Sequence, residues 1–95
     1  MKVFISQPMR GLSDEEIKNN RERAILEIKS KYDNVEILDS FFGDYNGNAV
    51  QFLGKSILLL GEADLAVFLP GWSQARGCRM EEMVANTYEI KCLFL

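Results

Sequence analysis

Hydrophobic positions along the chain follow two alternating patterns. Short runs in which at least half of the residues are apolar occur at 2–6, 34–39, 65–69 and 91–95. Such runs are typical of strands, and a continuous one such as 65–69 indicates a strand buried on both faces of a parallel sheet. Between the runs, apolar residues recur every three or four positions, as they do on amphipathic helices. The pattern predicts four strands separated by three helices.

The first two helices have recognisable ends. Ser13 and Glu16 form the S-x-x-E pattern of a capping box, so the first helix is expected to start there. Its buried face would carry Ile17, Ala24, Ile25, Ile28 and Tyr32. The second helix is expected to run from about Ala49 to Gly61. Its inner face would carry Val50, Leu53, Ile57 and Leu60.

The third helix carries two adjacent glutamates that helical geometry separates. Its apolar face is expected to hold Met80, Met83, Val84 and Thr87, spaced i, i+3, i+4 and i+7. At about 100° per residue, Glu81 falls at the edge of that face, in line with Ala85 and Tyr88, whereas Glu82 falls opposite it. We therefore expect Glu81 to be half-buried in a cleft and Glu82 to be solvated. The alternative is that both are ordinary surface glutamates.

The order of strands and helices predicts an α/β fold with one domain over residues 1–95. Right-handed crossovers would give a flavodoxin-like three-layer sandwich with a four-stranded parallel sheet in the order 2-1-3-4. Ligands of such sheets bind beyond the carboxyl ends of the strands, where the strand order reverses. Here that point lies between strands one and three, and it selects the loops 7–12 and 70–77, with Glu81 on the helix that follows.

Composition narrows the possible chemistry. The net charge of −3 and the pI near 4.9 argue against a nucleic acid polymer as partner. The absence of histidine excludes Ser-His-Asp catalysis and most zinc sites, so we expect neither a metal nor a cofactor. Cys78 and Cys92 have no metal-ligand spacing, which fits a reducing, cytoplasmic location. No apolar run reaches membrane-spanning length, so no membrane partner is expected. A 95-residue chain buries limited surface alone, which favours a homo-oligomer.

Three stretches resemble a known family. They are residues 4–11 (FISQPMRG), residues 63–72 (ADLAVFLPGW) and the pattern G-x-x-x-E-x-x-x-A formed by Gly77, Glu81 and Ala85. Together they are similar to the nucleoside 2-deoxyribosyltransferase superfamily, and more closely to the small bacterial and phage proteins classed beside those enzymes. The resemblance covers nearly the whole chain. It implies a flavodoxin-like fold and a nucleoside or nucleotide as the small-molecule substrate.

The resemblance also implies a mechanism. Glu81 would be the nucleophile that attacks C1′ of a 2′-deoxynucleoside or its 5′-phosphate, expels the base and holds the sugar as a glycosyl ester until a base or water takes it. Arg10 and loop amides would hold the sugar or a phosphate. Trp72 would stack on a base, or else be a rim or interface residue. The expected substrate-binding residues are Ser6, Gln7, Arg10, Gly11, Asp39, Gly71, Trp72 and Gly77.

Some positions depart from the family pattern. Acids of the enzymes fall here on Ser56 and, for some members, on Ala75, and their strand-one tyrosine falls on Phe4. The acid–base role would then belong to another group, such as Asp44 or a residue of a partner subunit. A second interpretation is a non-catalytic nucleotide-binding or regulatory module. A third is an oligomerising domain whose exposed sheet edges and Phe41-Phe42 loop bind partners.

Overall fold

Four strands and three α-helices alternate along the chain in this computed structural model, which describes residues 1–40, 42 and 45–95. The elements are β1 (Lys2–Ser6), α1 (Asp14–Lys31), β2 (Glu36–Ile37), α2 (Ala49–Leu60), β3 (Leu65–Phe68), α3 (Arg76–Thr87) and β4 (Lys91–Phe94). A short 3₁₀ helix, Trp72–Gln74, precedes α3. The predicted alternation of strands and helices is confirmed.

The strands form one parallel sheet in the order β2-β1-β3-β4, which confirms the predicted topology. In the central pair, Val3 lies opposite Leu65 and Ser6 lies opposite Phe68. The carboxyl ends of β1 and β3 are therefore level with each other. This is the α/β arrangement of a flavodoxin-like sandwich, and it places the strand-order reversal at the ends of these two strands.

Side chains of the sheet point alternately into two separate cores. On the face covered by α1, the buried residues are Val3, Ile5, Ala24, Ile28, Leu65, Val67 and Leu69. On the face covered by α2 and α3 they are Phe4, Leu38, Leu60, Ala66, Phe68 and Ala85. The direction of each strand-end residue therefore decides which helices it meets.

The strand β2 is shorter than the predicted 34–39. Asn34 has a left-handed φ of 54°, so the chain is still turning at this residue. After the Leu38 amide, which still donates to the Val3 carbonyl at 2.8 Å, side chains take over the hydrogen bonds that a longer strand would make. Arg21 donates to the Leu38 carbonyl at 2.9 Å, and the Ser40 hydroxyl donates to the Ile5 carbonyl at 3.0 Å. Side-chain bonds of this kind compete with the ladder and end it.

The helix ends largely follow the sequence. Ser13 and Glu16 form the predicted capping box, and Gly61 caps the end of α2. A second capping box, made by Asn48 and Gln51, was not foreseen. Of the residues expected on the inner face of α1, three are buried and two are partly buried, as predicted: Ile17, Ala24, Ile28, and Ile25, Tyr32.

The predicted inner faces of α2 and α3 need correction. Val50 is exposed, so α2 packs mainly through its second half. On α3, Met80 and Met83 are exposed, as is Thr87, and the buried residues are Cys78, Glu81 and Ala85. Small side chains let α3 approach the sheet along this stripe, which rotates the methionines outward. Glu82 is half-buried rather than fully solvated, because the whole helix is turned.

None of the helices in the described part of the chain is both long enough and apolar enough to span a bilayer.

Candidate functional site

A buried carboxyl group lies at the carboxyl end of β1. Ser6 is the last residue of β1, and like Phe4 it faces the α2 and α3 layer. Its hydroxyl donates a hydrogen bond to Glu81 Oε1 at 2.6 Å. Glu81 is only 7% exposed, so it is more deeply buried than the half-buried position expected from the sequence. The sheet thus brings together two predicted site residues that are 75 positions apart.

Two further polar side chains surround this carboxyl group. Ser56, on α2, also hydrogen bonds to Glu81. Cys78 lies one turn before Glu81 on α3 and shares a hydrogen bond with Ser6. The negative charge of Glu81 raises the pKa of the Cys78 thiol. A carboxylate accepts several hydrogen bonds, so both hydroxyls can donate to it at once. The arrangement fixes the Glu81 side chain between the end of β1 and α2.

Burial decides the protonation of this cluster. Desolvation raises the pKa of Glu81 above its ordinary value of 4.5, and the hydrogen bonds from Ser6 and Ser56 oppose that rise. Burial also raises the pKa of Cys78, the hydrogen bond with Ser6 opposes this, and the charge of Glu81 adds to it. Cys78 therefore remains a thiol at neutral pH, and Glu81 is the acidic group whose ionisation the site controls.

The loops after β1 and β3 lie side by side above the strand ends. The amide of Leu69 donates to the Ser6 carbonyl at 3.0 Å. Gly71 has a left-handed φ of 87°, and a Cβ at this position would lie 3.5 Å from Cγ of Pro8. The predicted convergence of the two loops is therefore present in the structure.

One family model matches residues 1–94 and carries the description "domain of unknown function (DUF4406)". The chain belongs to the DUF4406 family. Neither the comparison with curated proteins nor that with solved structures found a matching protein. The DUF4406 description assigns no activity to its members.

Other residues predicted for the site lie outside the Glu81 cluster of this DUF4406 domain. Gln7 points to the opposite face of the sheet, where its Nε2 donates to the Ile17 carbonyl at 3.0 Å. Arg10 and Gly11 are exposed in a turn in which Gly11 has a φ of 81°. Within the described residues, no ion pair joins Arg10 to Glu81. Arg10 is thus an exposed cation in the loop that follows Ser6.

Trp72 belongs to an aromatic cluster. Its ring centroid lies 5.6 Å from that of Phe68 and 5.1 Å from that of Phe94. The two phenylalanine rings are themselves stacked at 5.3 Å. The half-buried indole thus already packs on the sheet, which favours the rim interpretation over stacking on a base.

The remaining predicted residues occupy separate places. Asp39 is exposed after β2, where its negative charge acts on Arg21. Burial lowers the pKa of Arg21, and the charge of Asp39 opposes that effect. Gly77 lies in the first turn of α3, which begins at Arg76, so the loop after β3 is shorter than the predicted 70–77. A Cβ at Gly77 would meet nothing within 4 Å. The proposed general acid Asp44 lies outside the described residues.

Two members of the cluster have no site role in the sequence-based prediction. Ser56 stands where the similar enzymes carry an acid, and Cys78 has no metal-ligand spacing. The signal for Cys78 was its spacing of three residues from Glu81, which places both on one helical face. Ser56 had no such signal, since its contact with Glu81 depends on how α2 packs against α3. Phe4 is buried in the core, and Ala75 precedes α3 without a side-chain cap.

A cavity of about 440 Å³ opens at the same edge of the sheet, but on the α1 face. Glu81 is not among its lining residues. In residues 1–40, 42 and 45–95, no group of three or more His, Cys, Asp or Glu side chains is placed to hold a metal ion.

Because the pKa of Glu81 is raised, the difference in stability between Glu81→Gln and the wild type is expected to depend on pH. The folded state holds the Glu81 proton more tightly than the unfolded state, so protonation of Glu81 stabilises the fold. This contribution to the free energy of unfolding is complete below pH 4.5 and is lost as the pH rises through the pKa of the folded state. Glu81→Gln mimics the protonated form at every pH. The Tm of Glu81→Gln minus that of the wild type should therefore increase from pH 4.5 towards neutrality.

Thermal unfolding followed by circular dichroism between pH 4 and pH 8 would measure this difference. Glu82→Gln is the matched control, because it makes the same change at the adjacent, half-buried position of α3. A Glu81→Gln difference that stays constant with pH would contradict the burial argument.

Proposed function

We propose that this DUF4406 protein is a nucleoside or nucleotide 2-deoxyribosyltransferase-like enzyme in which Glu81 is the nucleophile. The observation that carries the proposal is the 2.6 Å hydrogen bond between Ser6 and Glu81 at the carboxyl end of β1. This is the edge at which open α/β sheets bind ligands. A buried carboxyl group with a perturbed pKa at such an edge is a strong candidate for a catalytic group.

The reaction uses the ionised form of Glu81. One carboxylate oxygen forms a bond to C1′ of the deoxyribose while the N-glycosidic bond breaks, and the base leaves with the bonding electrons and takes up a proton. Water or a second base then attacks C1′ and releases Glu81 as a carboxylate. The positive charge that develops on the sugar is stabilised by the adjacent carboxylate, as in retaining glycosidases.

The neighbours of Glu81 have defined roles in this scheme. Ser6 and Ser56 donate to the carboxylate, so they favour its ionised form and hold one oxygen towards the substrate. Arg10, exposed in the adjacent loop, would pair with a 5′-phosphate. Because Glu81 is almost fully buried, the loops after β1 and β3 must move apart to admit a sugar. The proton for the leaving base would come from Asp44 or from a partner subunit.

A substrate panel tests the proposal. The protein is incubated with 2′-deoxynucleosides, their 5′-monophosphates and the matching ribonucleosides, and free base is measured by chromatography. We expect base release from the deoxy compounds and little from the ribonucleosides. The comparison between nucleosides and monophosphates reports whether Arg10 binds a phosphate. Absence of free base from every compound would contradict the enzymatic proposal.

One observation favours a second candidate function, a non-catalytic nucleotide-binding or regulatory module. The acid that the deoxyribosyltransferases carry at this position is replaced here by Ser56, which supplies a hydrogen bond to Glu81 but no second carboxyl group. A site built in this way can bind a nucleotide without cleaving it. Saturable stabilisation by a nucleotide in a thermal-shift experiment, with no free base formed, would support the module.

We also propose that the protein forms a homo-oligomer through the outer surface of α2 and α3. Large apolar side chains on these helices are exposed: Val50, Leu58, Met80 and Met83. Leu58 is 77% exposed, and Val50 lies two turns before it on the same side of α2. Clustered exposed apolar residues often mark contacts between proteins.

Leu58→Lys should shift the protein towards the monomer, because it places a charge in the proposed interface. Leu26 is 71% exposed on α1, across the sheet, so Leu26→Lys is the matched control and should leave the assembly intact. Size-exclusion chromatography with light scattering measures the mass. A wild-type monomer, or equal behaviour of the two variants, would contradict this interface.

A reducing location and a small-molecule substrate are also part of this proposal. Both cysteines are free thiols, which is in keeping with a reducing cytoplasm. The substrate is a small molecule rather than a nucleic acid polymer, since the chain has a net charge of −3.

A further inference from the structure

The cavity on the α1 face is separate from the Glu81 cluster. It lies between α1 and the loops that follow β1 and β3, and has a volume of about 440 Å³. Its polar lining is contributed by Gln7, Asn20, Arg23 and Glu27. Ser6 and Gln7 are consecutive, and they point to opposite faces of the sheet. A molecule in this cavity would therefore lie across the sheet from Glu81.

Gln7 has an unused hydrogen-bond acceptor. The side chain is 6% exposed, and its Nε2 donates to the Ile17 carbonyl at 3.0 Å. That bond fixes the orientation of the amide, because a carbonyl accepts only from the NH₂ group. The Oε1 atom, which is buried, has no hydrogen-bond partner in the part of the chain that the structure describes. Buried polar atoms are nearly always paired, so this acceptor calls for a donor.

The rest of the lining restricts the kind of donor. Leu12, Ala24, Leu69 and Pro70 give the cavity apolar walls. The two charged lining side chains, Arg23 and Glu27, have opposite charges, so the side chains of the lining carry no net charge. An anion such as phosphate would gain no net attraction there. A neutral, largely apolar molecule with an N–H donor fits both features.

We propose that this cavity is a second binding site, which takes a small neutral heterocycle whose ring N–H donates to Gln7 Oε1. Both one-ring lactams, such as uracil, and two-ring compounds, such as indole, carry this chemistry and are smaller than the cavity. Because Oε1 is shielded from solvent, binding requires a small shift of the Gln7 amide or of Leu12 at the rim. The site does not depend on the proposed function of Glu81.

Matched ligand pairs test the proposal by NMR titration of the ¹⁵N-labelled chain. Uracil is compared with 1,3-dimethyluracil and indole with 1-methylindole, since methylation removes the N–H donor. Inorganic phosphate serves as the anionic control. We expect saturable shifts at the amides of Leu12, Ala24 and Leu69 with uracil, indole or both, and binding about tenfold weaker for the methylated partners. The pair that binds more tightly shows whether the ligand is a one-ring lactam or a two-ring compound.

Variants of the chain complete the test. Gln7→Met should weaken binding of the N–H heterocycle about tenfold and remove its advantage over the methylated partner. Glu81→Gln should bind as the wild type does, because Glu81 lies on the other face. If Gln7→Met does not fold, Leu12→Trp at the rim should block the cavity and abolish the shifts. Absence of saturable shifts in the wild type, or equal binding of the methylated compounds, would overturn the proposal.

Discussion

Glu81→Gln is expected to lower the rate of base release by about 10³-fold or more, whereas Glu82→Gln should remain close to the wild type. Gln has nearly the same shape as Glu but cannot form a stable ester with the sugar, so the chemistry is lost while the packing is kept. The neighbouring glutamate is the matched control, since it has the same side chain on the next position of α3. Steady-state rates with the best deoxy substrate measure both variants.

The same assay separates nucleophilic catalysis from a purely structural effect. Because Glu81 must be ionised to attack, kcat should fall at low pH with a midpoint above the ordinary value of 4.5. Ser6→Ala removes a hydrogen bond that favours the carboxylate, so it should move this midpoint further up and lower kcat about tenfold at neutral pH. Equal rates in Glu81→Gln and Glu82→Gln would refute the assignment of Glu81.

Phe68→Ala is expected to destabilise the protein by about 3–5 kcal/mol. Phe68 is fully buried at the end of the central strand β3, and its ring contacts those of Trp72 and Phe94. Truncation leaves a cavity beneath both rings at the edge that carries the site. For a domain of this size, such a loss is a large part of the total stability.

Urea unfolding followed by Trp72 fluorescence measures this change. The control is Phe94→Ala, because Phe94 belongs to the same cluster but is exposed on β4, and it should cost clearly less. Equal losses for the two variants would contradict the central position of Phe68 in the core.

The fold could be predicted from the sequence because both apolar periods are clear and the connections follow general rules. The run 65–69 has the length and continuous apolar character of a strand buried on both faces, and the predicted strand order 2-1-3-4 is the one observed. The length of β2 could not be predicted. It depends on Arg21 of α1, which bonds the Leu38 carbonyl, and on Ser40, which bonds the Ile5 carbonyl of β1.

The rotation of α3 shows the limit of periodicity. The spacing of Met80 and Met83 predicted a buried apolar face, yet both side chains are exposed. What decides the rotation is the close approach that Cys78 and Ala85 allow, and this is a property of the packed helix rather than of its hydrophobicity. The same rotation carries Glu81 from the edge of the helix into the interior.

Only part of the candidate site was predictable, because topology fixes the strand ends whereas helix packing decides which residues contact Glu81. The topology indicated the ends of β1 and β3, and Ser6 and Glu81 do meet there. The contacts of Glu81 with Ser56, and of Ser6 with Cys78, depend on tertiary packing and have no pattern in the sequence. Whether a strand-end residue such as Gln7 turns towards Glu81 or away from it is likewise settled only by the register of β1.

Detection of the sugar on Glu81 tests its assignment as the nucleophile. The protein is mixed with the best deoxy substrate, quenched with acid within the first turnovers and analysed by intact mass, followed by peptide mapping. We expect a mass increase of one deoxyribosyl group on a peptide that contains Glu81, present in Glu82→Gln and absent in Glu81→Gln. Base release without any adduct, or an adduct that persists in Glu81→Gln, would contradict this assignment.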